Sequence, residues 1–262
     1  MPKESFNNQS ESMSTKKFYE ELIKIDFSKE GPRLKIFDVD LDAESFIKLL
    51  SESEILTPIA SSDGIISHVK ESPEAGASDY SRSSRYFGLH TDGQYLTKVP
   101  EIVVLHCVDA GTSDIPTVFG DTKDIIDILR NTSQLEEAKE YEFLFRKKEG
   151  LEFVRPLLEK RYQNDELIMN IAVASPKCCL RPLPGSSKTQ EDADKFYDLL
   201  GEIAEKNLKI IPHTWKKNSA IVFDNLRLIH GRGLLEHKNL GTHDIQRHLH
   251  RIWVSRNKST NI

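Results

Sequence analysis

Ala220-Ile221-Val222-Phe223-Asp224-Asn225-Leu226-Arg227-Leu228-Ile229-His230-Gly231-Arg232 runs from an apolar strand through Asp-Asn-x-Arg to one histidine. After a polar loop comes Arg247-His248-Leu249-His250-Arg251-Ile252-Trp253-Val254, a second alternating stretch. Far upstream stands His90-Thr91-Asp92. On an extended strand, residues two apart point the same way, so His90 and Asp92 converge while Thr91 faces away. Another strand must then supply a third ligand, and His230 is placed to do so. Two neutral imidazoles and one carboxylate hold an octahedral ferrous ion by one face, leaving three positions open.

On these residues the chain resembles the taurine dioxygenase and clavaminate synthase-like family of Fe(II)/2-oxoglutarate-dependent oxygenases, from about Phe87 to Val254. The resemblance implies a mainly β fold with some α, a double-stranded β-helix (jelly roll, cupin-like) core with flanking helices. It implies that His90, Asp92 and His230 are the metal ligands and catalytic centre, with Fe(II) as cofactor and 2-oxoglutarate and O2 as co-substrates. Arg247 matches the anchor for the remote carboxylate of 2-oxoglutarate, a task suited to a planar fork that stays charged when buried. Thr117, in Pro116-Thr117-Val118-Phe119, matches the hydroxyl that assists it. The stretch Gly111-Thr112-Ser113-Asp114-Ile115-Pro116-Thr117 departs from the family's Gly-Gly-Glu/Asp-Thr pattern, so Thr112 competes for that role. Asp224 reads as a turn residue outside the metal set.

Arg247 and Arg251, four apart on a strand, share a face with Leu249 and Trp253, while His248 and His250 face the other way. Arg251 therefore reads as a substrate-binding cation, with Arg82 and Arg85 as further candidates. The remaining histidines, His68, His106, His213, His237, His243, His248 and His250, read as structural or solvated.

A chain of 262 residues suits one domain, expected over 15–262 after a flexible tail, 1–14. A net charge of -5 and a pI near 6.0 give no basic surplus for a phosphate backbone, so nucleic acid is an unexpected partner. The N-terminal residues lack the apolar core of a secretory signal, and no stretch has the apolar length of a membrane span. Cys107, Cys178 and Cys179 suggest no disulfide framework, which fits the cytoplasm. Oligomeric state is left open.

Apolar spacing predicts helices over Phe18 to Ile25, Ala43 to Leu50 (capped by Asp42), Thr122 to Arg130 and Gln190 to Asn207. Strands are expected over Leu34 to Val39, Ile102 to Val108, Leu167 to Ala174, Ser219 to Phe223 and Arg247 to Ser255. Ser61 to Ser84, serine-rich and punctuated by Gly64, Pro73 and Gly76, abuts the metal strand and reads as a lid. Pro182 to Ser187 reads as a surface connection.

The expected activity is oxidative decarboxylation of 2-oxoglutarate to succinate and CO2, coupled to hydroxylation of a small anionic or zwitterionic metabolite such as an amino acid. Desaturation, cyclisation or other rearrangement uses the same ligands. A zinc hydrolase or a non-catalytic 2-oxoglutarate or metal sensor is the alternative of another class, although a zinc hydrolase leaves Arg247 and Arg251 unexplained.

Overall fold

A computed structural model describes residues 12–27, 30–70, 87–111, 115–146, 152–161, 164–172, 178–233 and 247–257. The chain begins with β1 (Met13–Ser14), α1 (Thr15–Ile23), β2 (Leu34–Asp40), α2 (Ala43–Ser51), β3 (Leu56–Ile59), β4 (Ile66–Lys70) and β5 (Phe87–His90). Next come β6 (Ile102–Asp109), β7 (Thr117–Asp121), α3 (Thr122–Asn131), α4 (Leu135–Ala138), β8 (Tyr141–Arg146), β9 (Glu152–Pro156), β10 (Leu158–Lys160) and β11 (Leu167–Met169). Last are β12 (Cys178–Pro182), α5 (Gln190–Asn207), β13 (Ile211–His213), β14 (Ser219–Asp224), β15 (Leu228–Arg232) and β16 (His248–Arg256).

Two largely antiparallel sheets carry the fold. The larger runs β1-β2-β14-β6-β16-β3, with β4 also paired to β16, and the smaller runs β13-β7-β15-β5. Alternation assigns each strand two faces. Val103, Leu105, Ile221, Phe223, Leu249 and Trp253 of the larger sheet meet Phe119 and Leu228 of the smaller in one buried layer. The opposite face of the larger sheet, with Ile102, Val104, Val222, Ile252 and Val254, is covered by Phe18 and Leu22 of α1 and Phe46 and Leu50 of α2. This is the jelly-roll arrangement expected, with the inner layer open at one end to form a cleft.

The helices begin where side chains supply acceptors for free N–H groups. Asp42 accepts from Glu44 N at 3.2 Å, and Thr189 and Asp192 form a capping box on α5. Helices α3 and α5 pack Ile125, Leu129, Phe196 and Leu200 against Tyr141 and Phe143 of β8 and Ile229 of β15, covering the outside of the smaller sheet.

Several expectations change in detail. The three-stranded sheet β12-β8-β9 was not anticipated, and Pro182 closes β12, where no partner needs its missing N–H, before the connection begins. Strand β11 stops at Met169, because Asn170 turns its side-chain amide onto Pro156 O at 2.9 Å. The tail expected over 1–14 ends in structure: Met13 and Ser14 pair with Val39 and Asp40. Residues 61–70 of the expected lid form a turn, with Ser61 N on Gly64 O at 2.8 Å, followed by β4; residues 71–84 lie outside the described residues. Among the described residues no helix is long and apolar enough to cross a membrane.

Candidate metal centre

Strands β5 and β15 run antiparallel with His90 directly opposite His230, and their ring centroids are 4.5 Å apart. Gly231 makes this pairing possible, since a Cβ there would sit 2.4 Å from Phe87 O and 3.1 Å from Gly88 C. The obstructing atoms are backbone and cannot rotate away. Gly231→Ala is therefore expected to destabilise the protein by about 1–3 kcal/mol and to weaken iron binding, by prising β5 from β15. Thermal melting and Fe(II) titration measure both; unchanged values would mean that the strands part without cost.

Asp92 reaches the two histidines differently from the strand alternation expected. Strand β5 ends at His90, and Asp92 lies in the turn that follows. Asn225 fixes that turn: its side chain accepts from Asp92 N at 3.0 Å and donates to Asp92 O at 3.0 Å and Pro100 O at 2.8 Å. The carboxylate then stands with Oδ1 3.7 Å from His90 Nε2 and Oδ2 3.7 Å from His230 Nε2. One ligand atom from each of the three residues lies within 4.8 Å of the other two, and all three residues are buried. His90 Nδ1 faces Gly88 O at 2.9 Å, which assigns its proton to Nδ1 and turns Nε2 toward the carboxylate.

Strand β16 supports Asp92 from the opposite sheet. Arg251 Nη1 donates to Oδ1 at 3.0 Å and Trp253 Nε1 to Oδ2 at 3.1 Å. Burial alone would raise the Asp92 pKa, but Arg251 and the two imidazoles hold the carboxyl well below the usual range. Burial, and then the neighbouring His90, push His230 down to about 3. An ionised carboxylate beside a neutral imidazole, with a second imidazole opposite, is a donor set that fits a divalent iron ion.

His90 and His230 open onto a cleft between the two sheets. Thr117, Arg232, Arg247 and Arg251 supply its polar lining, and Val69, Phe87, Leu105 and Leu249 its apolar wall. Arg247 donates to Ile115 O at 3.2 Å, and its guanidinium carbon lies 5.9 Å from the Trp215 ring centroid. Burial and the like charge of Arg232 lower it to about 10, so it remains a cation at neutral pH. Thr117 Oγ1 accepts from Trp215 Nε1 at 2.7 Å, which leaves its own proton to donate.

The structure thus brings together every described residue singled out in the sequence: His90, Asp92, His230, Thr117, Arg247 and Arg251. Thr112, Arg82, Arg85, His237 and His243 lie outside the described residues. Asp224 is turned away, fully buried against Arg161 and, at 3.2 Å, Arg33. Arg232, Trp215 and Asn225 were given no role in the sequence. For Arg232 the signal was present, because it lies two residues beyond His230 on one strand and so shares its face.

Buried His230 and half-buried His250 carry a pH dependence. His230 at about 3 and His250 at about 4 lie below the usual imidazole value, mainly through burial. The unfolded chain then takes protons first as pH falls below about 6.5, so stability is full above that value and declines toward pH 4. Melting temperature should drop across this window; a flat profile would show that these rings are hydrated.

Comparison with known proteins follows the same lines. The family described as taurine catabolism dioxygenase TauD, TfdA family matches residues 36–253. Tyrosine isonitrile desaturase of Pseudomonas aeruginosa is 27% identical over 198 residues, 69% of this chain and 63% of that protein. The alignment thus spans less than two thirds of the desaturase. The structure of PvcB, an Fe, alpha-ketoglutarate dependent oxygenase from an isonitrile synthetic pathway, superposes with a TM-score of 0.60 at 23% identity, covering 86% of this chain and 78% of that one. A taurine dioxygenase from Burkholderia xenovorans gives 0.61 at 16% identity, covering 88% and 85%.

Proposed function

Because the chain belongs to the TauD/TfdA dioxygenase family, whose members use Fe(II), 2-oxoglutarate and O2, we propose that it couples 2-oxoglutarate decarboxylation to oxidation of a small anionic or zwitterionic metabolite such as an amino acid. One oxygen atom of O2 enters succinate, CO2 leaves, and the other is inserted into a substrate C–H bond as hydroxyl. The bound iron supplies the redox chemistry, and the protein supplies position and a dry, charged cleft. His90, Asp92 and His230 would hold the ion. Arg247, with the Thr117 hydroxyl, would hold the remote carboxylate of 2-oxoglutarate, and Arg251 would orient Asp92 and meet the acidic group of the substrate. A single catalytic domain over 15–262 is part of this reading.

The observation that carries it is the placement of a buried, still charged Arg247 in the same cleft as the triad. The zinc-hydrolase reading leaves that cation unexplained. Desaturation is the second reading, supported by the likeness to tyrosine isonitrile desaturase: water leaves and the substrate loses two hydrogens. The apolar wall of Val69, Phe87, Leu105 and Leu249 suits an aromatic or aliphatic side chain beside an acidic group.

The test is substrate-dependent succinate release, across amino acids, their isonitrile derivatives, carboxylates and sulfonates, with product masses measured. Gain of one oxygen assigns hydroxylation and loss of two hydrogens assigns desaturation. Hydrolysis products without succinate would overturn the oxygenase reading.

A further inference from the structure

The outer face of the larger sheet is apolar where α1 and α2 cover it. Beyond their reach the same face continues as histidine: His68 on β4 pairs with His250 on β16, which pairs in turn with His106 on β6. His248, two residues before His250, shares that face. Three adjacent strands therefore present a row of imidazoles, opposite in direction to the cleft that Arg247 and Arg251 line.

His68, His248 and His250 converge. His68 Nδ1 lies 3.0 Å from His248 Nε2, the His68 and His250 ring centroids are 4.9 Å apart, and a ligand nitrogen from each of the three lies within 4.8 Å of the others. Nitrogens about 2.0–2.1 Å from a tetrahedral ion stand roughly 3.4 Å apart, so modest ring rotations close the set. Among the described residues His250 Nδ1 is shut from solvent without a hydrogen-bond partner, a cost that a bound ion or a ring flip removes. His68 is exposed, so an ion has an entrance. Asp109, opposite His248 on β6, favours a cation there, whereas Lys70 on β4 opposes one.

Three imidazoles without a carboxylate select borderline transition ions over magnesium or calcium. We propose that His68, His248 and His250 form a second site, distinct from the catalytic triad, for a first-row divalent ion such as Zn2+. The ion ties the edge strand β4 to β16, whose other face carries Arg251, with Arg247 just before the strand. This site stands on its own geometry and does not depend on the oxygenase reading.

Zinc titration of the metal-free full chain, in competition with a chromophoric chelator, tests it. The wild type should take two equivalents, His230→Gln one, His68→Gln one, and the double variant His68→Gln/His230→Gln none. In the His230→Gln background, saturating Zn2+ should raise the melting temperature by about 5 °C or more, and His68→Gln should abolish the rise. His248→Gln should weaken the second equivalent by more than about tenfold. Because His68 is exposed, its variant is expected to fold even where His248→Gln does not. Unchanged zinc stoichiometry in His68→Gln, or no zinc-dependent stabilisation in His230→Gln, overturns the proposal.

Discussion

Replacing Arg247 with leucine is expected to raise the 2-oxoglutarate concentration for half-maximal turnover between about 30-fold and several thousand-fold, the equivalent of about 2–5 kcal/mol for a buried charge-assisted contact. Among the described residues, Arg247 donates to Ile115 O at 3.2 Å and its guanidinium lies over Trp215. Its like-charged neighbour Arg232 faces the same cleft, a repulsion that a bound dianion relieves. Iron affinity should stay at the wild-type value, since Arg247 makes no hydrogen bond to the triad. Arg247→Lys should fall between, keeping the charge and losing the fork. A normal 2-oxoglutarate dependence in Arg247→Leu, with a large rise in Arg232→Leu, would move the anchor two residues beyond His230.

Asp92→Ala is expected to abolish iron-dependent turnover and also to unsettle the fold. Asp92 accepts from Arg251 at 3.0 Å and Trp253 at 3.1 Å, and its removal strands a guanidinium that is mostly buried. Breaking such a pair costs about 3–5 kcal/mol, or a fall in melting temperature of roughly 6 to 20 °C for a domain of this size. Asp92→Ala/Arg251→Leu should recover part of that stability and none of the turnover, which separates the structural share of Asp92 from its ligand share. A single variant that melts like the wild type would show that Arg251 finds water.

Much of this site was legible because it rests on short-range rules. The two-residue period put Arg247, Arg251, Leu249 and Trp253 on one face, and the structure lines the cleft with the first three and seats Trp253 against Asp92. The same period applied to β15 would have placed Arg232 beside His230. Asp92 shows the limit of the rule. Its convergence depends on Asn225, 133 residues away, which holds the turn backbone from both sides. Trp215, which occupies the Thr117 hydroxyl, is another contact made only by the fold. The sheet β12-β8-β9 went unread although β8 alternates: Tyr141, Phe143 and Phe145 face the core, and Glu142 pairs with Arg181 on the other side, a contact that only the fold makes. The histidine row is the clearest case. His68, His106 and His250 are far apart in sequence, and only the pairing of β4, β16 and β6 makes them neighbours.

The most direct test of the central claim is a crystal structure of the protein loaded anaerobically with Fe(II) and 2-oxoglutarate. One ion is expected in the cleft, bonded to His90, Asp92 and His230, with the remote carboxylate of 2-oxoglutarate on Arg247. An iron ion held by other side chains, or a triad that stays unligated while 2-oxoglutarate binds elsewhere, would contradict it.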